Sequence, residues 1–216
     1  MNGIFGSVFK NIFPWIRVKT GQFGDGTNNL SIIDGVVSMT GTKKRNLQMQ
    51  PSIDVIAQIA HEKPTEVVRG VTRGFSMPVY NADNEELFLY TIVPRRWDGE
   101  SDLEICLSTA ISGAEDVGDK FKFQLSWDCV NCEEIIGDTP VDVEVETTIV
   151  TGRAAAWNVY RVTFVINYDE VGHVITPGAL LSWRLRRIAA SSLEVTNEVV
   201  VFASADSYVV DKMFGA

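Results

Sequence analysis

The sequence predicts an all-β fold: a jelly-roll-like antiparallel β-sandwich preceded by an extended N-terminal arm and a short β-hairpin segment. Three observations carry this reading. Lys120-Phe121-Lys122-Phe123-Gln124-Leu125-Ser126-Trp127 alternates polar and apolar side chains without a slip, the period of a strand with one wet and one buried face. Val141 to Glu146 places three valines against three acids, and Tyr160, Val162, Phe164 and Ile166 fall on one face of the next run. Turn chemistry then separates such runs at short intervals, as at Asp98-Gly99, Val117-Gly118-Asp119, Ile136-Gly137-Asp138 and Pro177-Gly178.

Residues 1–19 form the arm. Wound as a helix, Ile4, Val8 and Ile12 make one row and Phe5, Phe9 and Phe13 the next, a wide apolar stripe that Pro14 would end. These six side chains need a surface to cover them, and docking on a protein partner is the expected role, with packing on the chain's own body as the alternative. Lys10 interrupts the apolar run and no small-residue cleavage site follows, unlike a signal peptide. The polar face of the stripe is not rich in Lys or Arg, which argues against a membrane-surface helix.

Residues 20–63 are rich in Gly, Asn, Asp and Thr. Leu30 to Thr42 reads as a short strand, an Asp34-Gly35 turn and a second strand, followed by the basic cluster Lys43-Lys44-Arg45. Pro51 to His61 is the one further helical candidate, with Ile53, Ile56, Ala57 and Ala60 on one side and Pro64 closing it.

Residues 64–216 form the sandwich. Strands are expected at Glu66–Val71, Phe75–Tyr80, Leu87–Val93, Leu103–Ser112, Lys120–Val130, Val141–Val150, Tyr160–Asn167, Leu180–Ile188 and Val199–Ala203. Their number and short loops point to a sandwich or jelly roll rather than to a parallel α/β sheet.

The 216-residue chain carries a net charge of −9, which disfavours a general nucleic-acid binder, and no apolar stretch reaches the length of about 18 residues that crosses a bilayer. The charge is uneven: residues 1–50 hold +4 and residues 51–216 hold −13. Cys106, Cys129 and Cys132 make an odd count without a second pair to complete a zinc site, and Cys129-Val130-Asn131-Cys132 ends a strand rather than opening a helix. Neither His61 nor His173 has ligand spacing or a nucleophile motif beside it. Asp98 to Glu104 gathers four acids but lacks the Asp-x-Asp-x-Asp-Gly pattern of a calcium loop. No metal, cofactor or catalytic residue is expected, and the protein reads as a non-enzyme.

Trp97 and Trp157 lie near turns, where an exposed ring can stack on a sugar, and they are the candidate glycan contacts. Trp127 and Trp183 sit inside strand patterns and read as core or subunit contact. Arg184 and Arg186 share one strand face, opposite Trp183, Leu185 and Arg187, where they could pair with carboxylates at a subunit interface.

Three stretches, Glu85-Glu86-Leu87-Phe88-Leu89, Val93-Pro94-Arg95-Arg96-Trp97-Asp98-Gly99 and Ala114 to Phe123, resemble in order and spacing a jelly-roll domain of tailed-bacteriophage virion proteins, the tail-fibre, head-fibre and capsid-decoration components. The resemblance spans about residues 64 to 215 and brings no active-site motif. It implies a structural virion protein, a homotrimer attached through its N-terminus to a major capsid or tail protein and assembled in the host cytoplasm. The alternative function is a carbohydrate-binding or host-receptor-binding module of a tail fibre, with a host surface glycan as partner, which exposed aromatics grouped on one open face would mark.

Overall fold

The computed structural model describes the backbone of five strands between residues 20 and 54 and, from 64 to 210, every residue except 79–84, 96, 98, 132 and 133; side chains are described from 64 to 202 outside those gaps. The arm side chains Ile4, Phe5, Val8, Phe9, Ile12 and Phe13 lie outside the described residues. The chain divides into two compact units, one holding a three-stranded sheet and the other, Asn46–Val209, holding the sandwich.

The small sheet runs in the order β1 (Thr20–Gly24), β2 (Asn29–Ile33), β3 (Val36–Thr40). Ile33 opposes Val36, so Asp34-Gly35 is the connection of the expected hairpin, and β1 adds a strand that the sequence did not announce.

The sandwich is all-β, jelly-roll-like and antiparallel, built from two sheets. One has the order β11 (Val141–Thr148), β10 (Lys120–Val130), β13 (Leu180–Ile188), β8 (Glu86–Ile92), β5 (Ser52–Asp54). The other has the order β12 (Val159–Ile166), β9 (Leu103–Ile111), β14 (Val199–Val210), β7 (Thr72–Met77), β6 (Thr65–Arg69), with β4 (Arg45–Met49) also paired to β14. Arg69 opposes Thr72 across a two-residue turn in which Gly70 takes φ +62°, a conformation glycine adopts without strain.

Each alternating pattern delivers its apolar set to the space between the sheets. β10 buries Phe121, Phe123, Leu125, Trp127 and Cys129, β13 buries Leu181, Trp183 and Leu185, and β12 buries Tyr160, Val162, Phe164 and Ile166. Full burial of side chains of this size contributes about 1.5–3 kcal/mol each. Phe121 and Tyr160 meet edge to face with centroids 5.8 Å apart, joining the two sheets. Trp127 and Trp183 are both in the core, in register on neighbouring strands.

The helix expected over Pro51–His61 needs correction. Ser52–Asp54 is β5, in register with Tyr90, Leu89 and Phe88 of β8, and the rest of that segment lies outside the described residues. Backbone pairing along an open sheet edge outweighs the weak helical preference of three residues.

Candidate functional site

The alternation that fills the core also fixes what the five-stranded sheet shows on its other face. β8 sends Glu86, Phe88 and Tyr90 outward because Leu87 and Leu89 go in, and β13 sends out Ser182, Arg184 and Arg186. The registers align these into rows: Phe88, Arg184, Ser126 and Asp142 in one, and Tyr90, Ser182 and Asp128 in the next. A cleft of about 310 Å³ opens over them, lined by Phe88, Tyr90, Ser126, Asp128, Ser182 and Arg184, with Pro140 and the strand residues Leu89 and Trp183. Its size and its mix of aromatic and convergent polar groups suit a small polar ligand.

The polar groups are held. Arg184 Nη2 donates to Ser126 Oγ at 3.2 Å, and Nη1 lies 3.4 Å from Glu86 Oε1, a carboxylate only 2 % exposed. Asp128 Oδ1 accepts from the Cys129 backbone N–H at 2.8 Å and from His173 Nδ1 at 2.9 Å. Further along the face Lys122 pairs with Glu144 at 2.5 Å and Lys120 with Glu146 at 2.9 Å, while Gln124 accepts from Arg186 Nε and donates to Glu144. The carboxylates that meet Arg184, Lys120 and Lys122 belong to the same chain and the same sheet face. Tyr90, 47 % exposed, leaves its ring open to solvent at the cleft.

Neither tryptophan singled out as a glycan contact lines this cleft. Trp97 is 4 % exposed and packs edge to face on Tyr168, with centroids 6.4 Å apart, so the expected open ring is a core residue. Proximity to the Asp98-Gly99 turn says where the chain reverses, and the large apolar ring folds beneath it. Trp157 is half-buried at φ 65°, with the Arg69 guanidinium 4.4 Å from its ring centroid. Trp157 N bonds Ile111 O at one end of β9, and Tyr168 N bonds Asp102 at the other. The eight steps of β9 separate those ends by roughly 26 Å, so the two rings belong to no common platform.

The residues that do form the cleft, Phe88 and Tyr90, carry a readable signal: two aromatics two apart, on the strand face opposite Leu87 and Leu89. Cys129 is buried, and desolvation pushes its thiol up to about 11 against a partial offset from the Thr176 backbone. Cys132 lies outside the described residues. Among the described residues no three His, Cys, Asp or Glu side chains are grouped to hold a metal ion.

No protein-family model matches the chain, and no curated protein does. Solved structures with similarity include a xylan-binding module of the CBM15 type, with TM-score 0.34 and 10% identity over 78% of this chain and 99% of that one. A family 11 carbohydrate-binding module from Clostridium thermocellum, in complex with a β-1,3-1,4-mixed-linked tetrasaccharide, has TM-score 0.30 and 9% identity over 93% and 92% of the two chains. TmCBM61 in complex with β-1,4-galactotriose has TM-score 0.28 and 9% identity over 77% and 88%.

Proposed function

We propose that the sandwich is a non-catalytic carbohydrate-binding module and that the cleft over β8, β13 and β10 is its ligand seat. The observation that carries the reading is the row Tyr90, Ser182, Asp128: a solvent-open aromatic ring in register with a hydroxyl and a carboxylate. A pyranose has an apolar C–H face and a rim of hydroxyls. It would lay that face on Tyr90 and Phe88 while its hydroxyls bond Asp128, Ser182, Ser126 and Arg184. Arg184, Lys120, Lys122 and His173 each already face a carboxylate of the chain, which favours a neutral glycan over a polyanion.

The setting proposed for the module is a bacteriophage virion, where it would read a host surface glycan from a trimeric fibre attached through the Ile4, Phe5, Val8, Phe9, Ile12 and Phe13 arm. What supports that setting is the order and spacing of the motifs from Glu85 to Phe123. The ligand reading is tested by screening the full chain against an array of neutral and acidic oligosaccharides, followed by calorimetry on the best binder. A neutral glycan is expected to bind, and Tyr90→Ala is expected to weaken it about tenfold, about 1.4 kcal/mol. Binding to no glycan, or binding unaffected by Tyr90→Ala, would remove the cleft from this role.

A further inference from the structure

Asp128 stands two residues before the end of β10 and is the acidic side chain among those lining the cleft. Its two oxygens are not equivalent. Oδ1 accepts both hydrogen bonds, from Cys129 N at 2.8 Å and from His173 Nδ1 at 2.9 Å, while Oδ2 has no partner among the described residues. Gly137, in the loop after β10, passes this second oxygen without a side chain: a Cβ there would stand 3.5 Å from it.

His173 comes from the loop between β12 and β13 and does not line the cleft. It is fixed in its own right. Its backbone N–H donates to Glu170 O at 2.9 Å, and its ring meets Trp127 edge to face with centroids 5.9 Å apart. A carboxylate only accepts, so Nδ1 carries the proton in this bond.

Resting on the carbohydrate-binding reading, we infer that His173 is a positioning residue, which holds Asp128 so that Oδ2 alone is presented to a ligand hydroxyl. With Oδ1 tied at both bonds the carboxylate cannot turn, and the direction in which Oδ2 accepts is set before the ligand arrives. Arg184 sits diagonally across from Asp128 on β13 and can only donate. Residues so related lie about 7–8 Å apart, their Cβ atoms somewhat closer. The pair therefore selects a neutral glycan that offers a free hydroxyl proton at one point and an oxygen lone pair at another.

The test is calorimetry of the full chain with the oligosaccharide that the wild type binds best, together with its analogue O-methylated at each hydroxyl in turn. His173→Leu is expected to weaken binding about tenfold, whereas His173→Asn, which keeps an N–H donor close to the Nδ1 position, is expected to stay within about twofold of wild type. Asp128→Asn combined with His173→Leu should bind no worse than Asp128→Asn alone. One O-methyl analogue should lose binding to the wild type but lose little further in Asp128→Asn. Wild-type affinity in His173→Leu, or equal losses in the Leu and Asn variants, would overturn the positioning role while leaving the cleft as the glycan seat. Failure of the wild type to bind any glycan would overturn both. If His173→Leu does not fold, the ¹⁵N resonance of His173 Nδ1 in the wild type decides: it should shift on adding ligand, and an unchanged resonance at saturation would overturn the inference.

Discussion

Arg187 Nη2 lies 2.6 Å from Glu194 Oε1, an ion pair set at the edge of the core with Arg187 only 3 % exposed. The guanidinium also donates to the carbonyls of Met77, Val195 and Asn197, while Glu194 accepts from Ala190 N–H. One side chain thereby ties β13 to the end of β7 and to the loop before β14. Burial pulls the Arg187 pKa down and the Glu194 carboxylate opposes that shift, on a guanidinium that stays charged throughout. Glu194→Gln takes from a buried cation the carboxylate that bonds it, leaving only the Coulomb field of Glu115 and Glu198, and the expected cost is about 3 kcal/mol. Urea unfolding of the variant, read as a midpoint shift at unchanged slope, checks this.

The pH dependence of stability should contain a contribution from Glu146. Ser191 N–H, Lys120 Nζ and Ser191 Oγ all bond its carboxylate and hold its pKa at about 2, below the ordinary 4.5. A carboxylate with a depressed folded pKa stabilises above its unfolded pKa and loses that contribution as pH falls through the folded one. Thermal melts should therefore show the wild type and Glu146→Gln converging between about pH 4.5 and pH 2, with the wild type ahead at pH 7. A constant gap over that range would contradict the assignment.

Cys129, with its thiol at about 11 and 8 % exposure, should resist alkylation. At pH 8 only about one such thiol in a thousand is thiolate, the reactive form. Iodoacetamide mapping by mass spectrometry is expected to leave Cys129 unlabelled in the native protein and to label it in guanidinium chloride. Rapid native labelling would mean that this end of β10 opens readily.

Truncation should locate the true start of the sandwich. A chain beginning at Lys63 loses β4 and β5 and leaves β8 as a bare sheet edge, whereas one beginning at Thr42 keeps both pairings. The shorter chain is expected to melt roughly 5–10 °C lower and to associate on a sizing column. Equal melting and monodispersity would show that β4 and β5 are dispensable.

Much of this fold was legible because the sandwich strands are half-buried. Lys120–Cys129 and Leu181–Arg186 alternate without a slip, and the structure starts and stops the two strands that hold them at the expected residues, Lys120–Val130 and Leu180–Ile188. Where alternation lapses, the reading fell short. Val199–Ala203 continues to Val210 through Ser204-Ala205-Asp206-Ser207, which pairs with β9 across a bulge at Phe202 rather than announcing itself by pattern. The placement of Arg187 beside Trp183 and Leu185 followed from period two alone. The cleft did not follow, because β8, β13 and β10 are neighbours in the sheet and distant in the chain, and no local pattern encodes that register.

The most direct test of the glycan-binding account is a ¹H–¹⁵N titration of the full chain with a neutral oligosaccharide that binds it. The account predicts saturable shifts concentrated on Phe88, Tyr90, Asp128, Ser182 and Arg184, with His173 following Asp128 and little change around Trp97 or Trp157. Shifts centred on Trp157 and Arg69, or spread without focus over the surface, would contradict it.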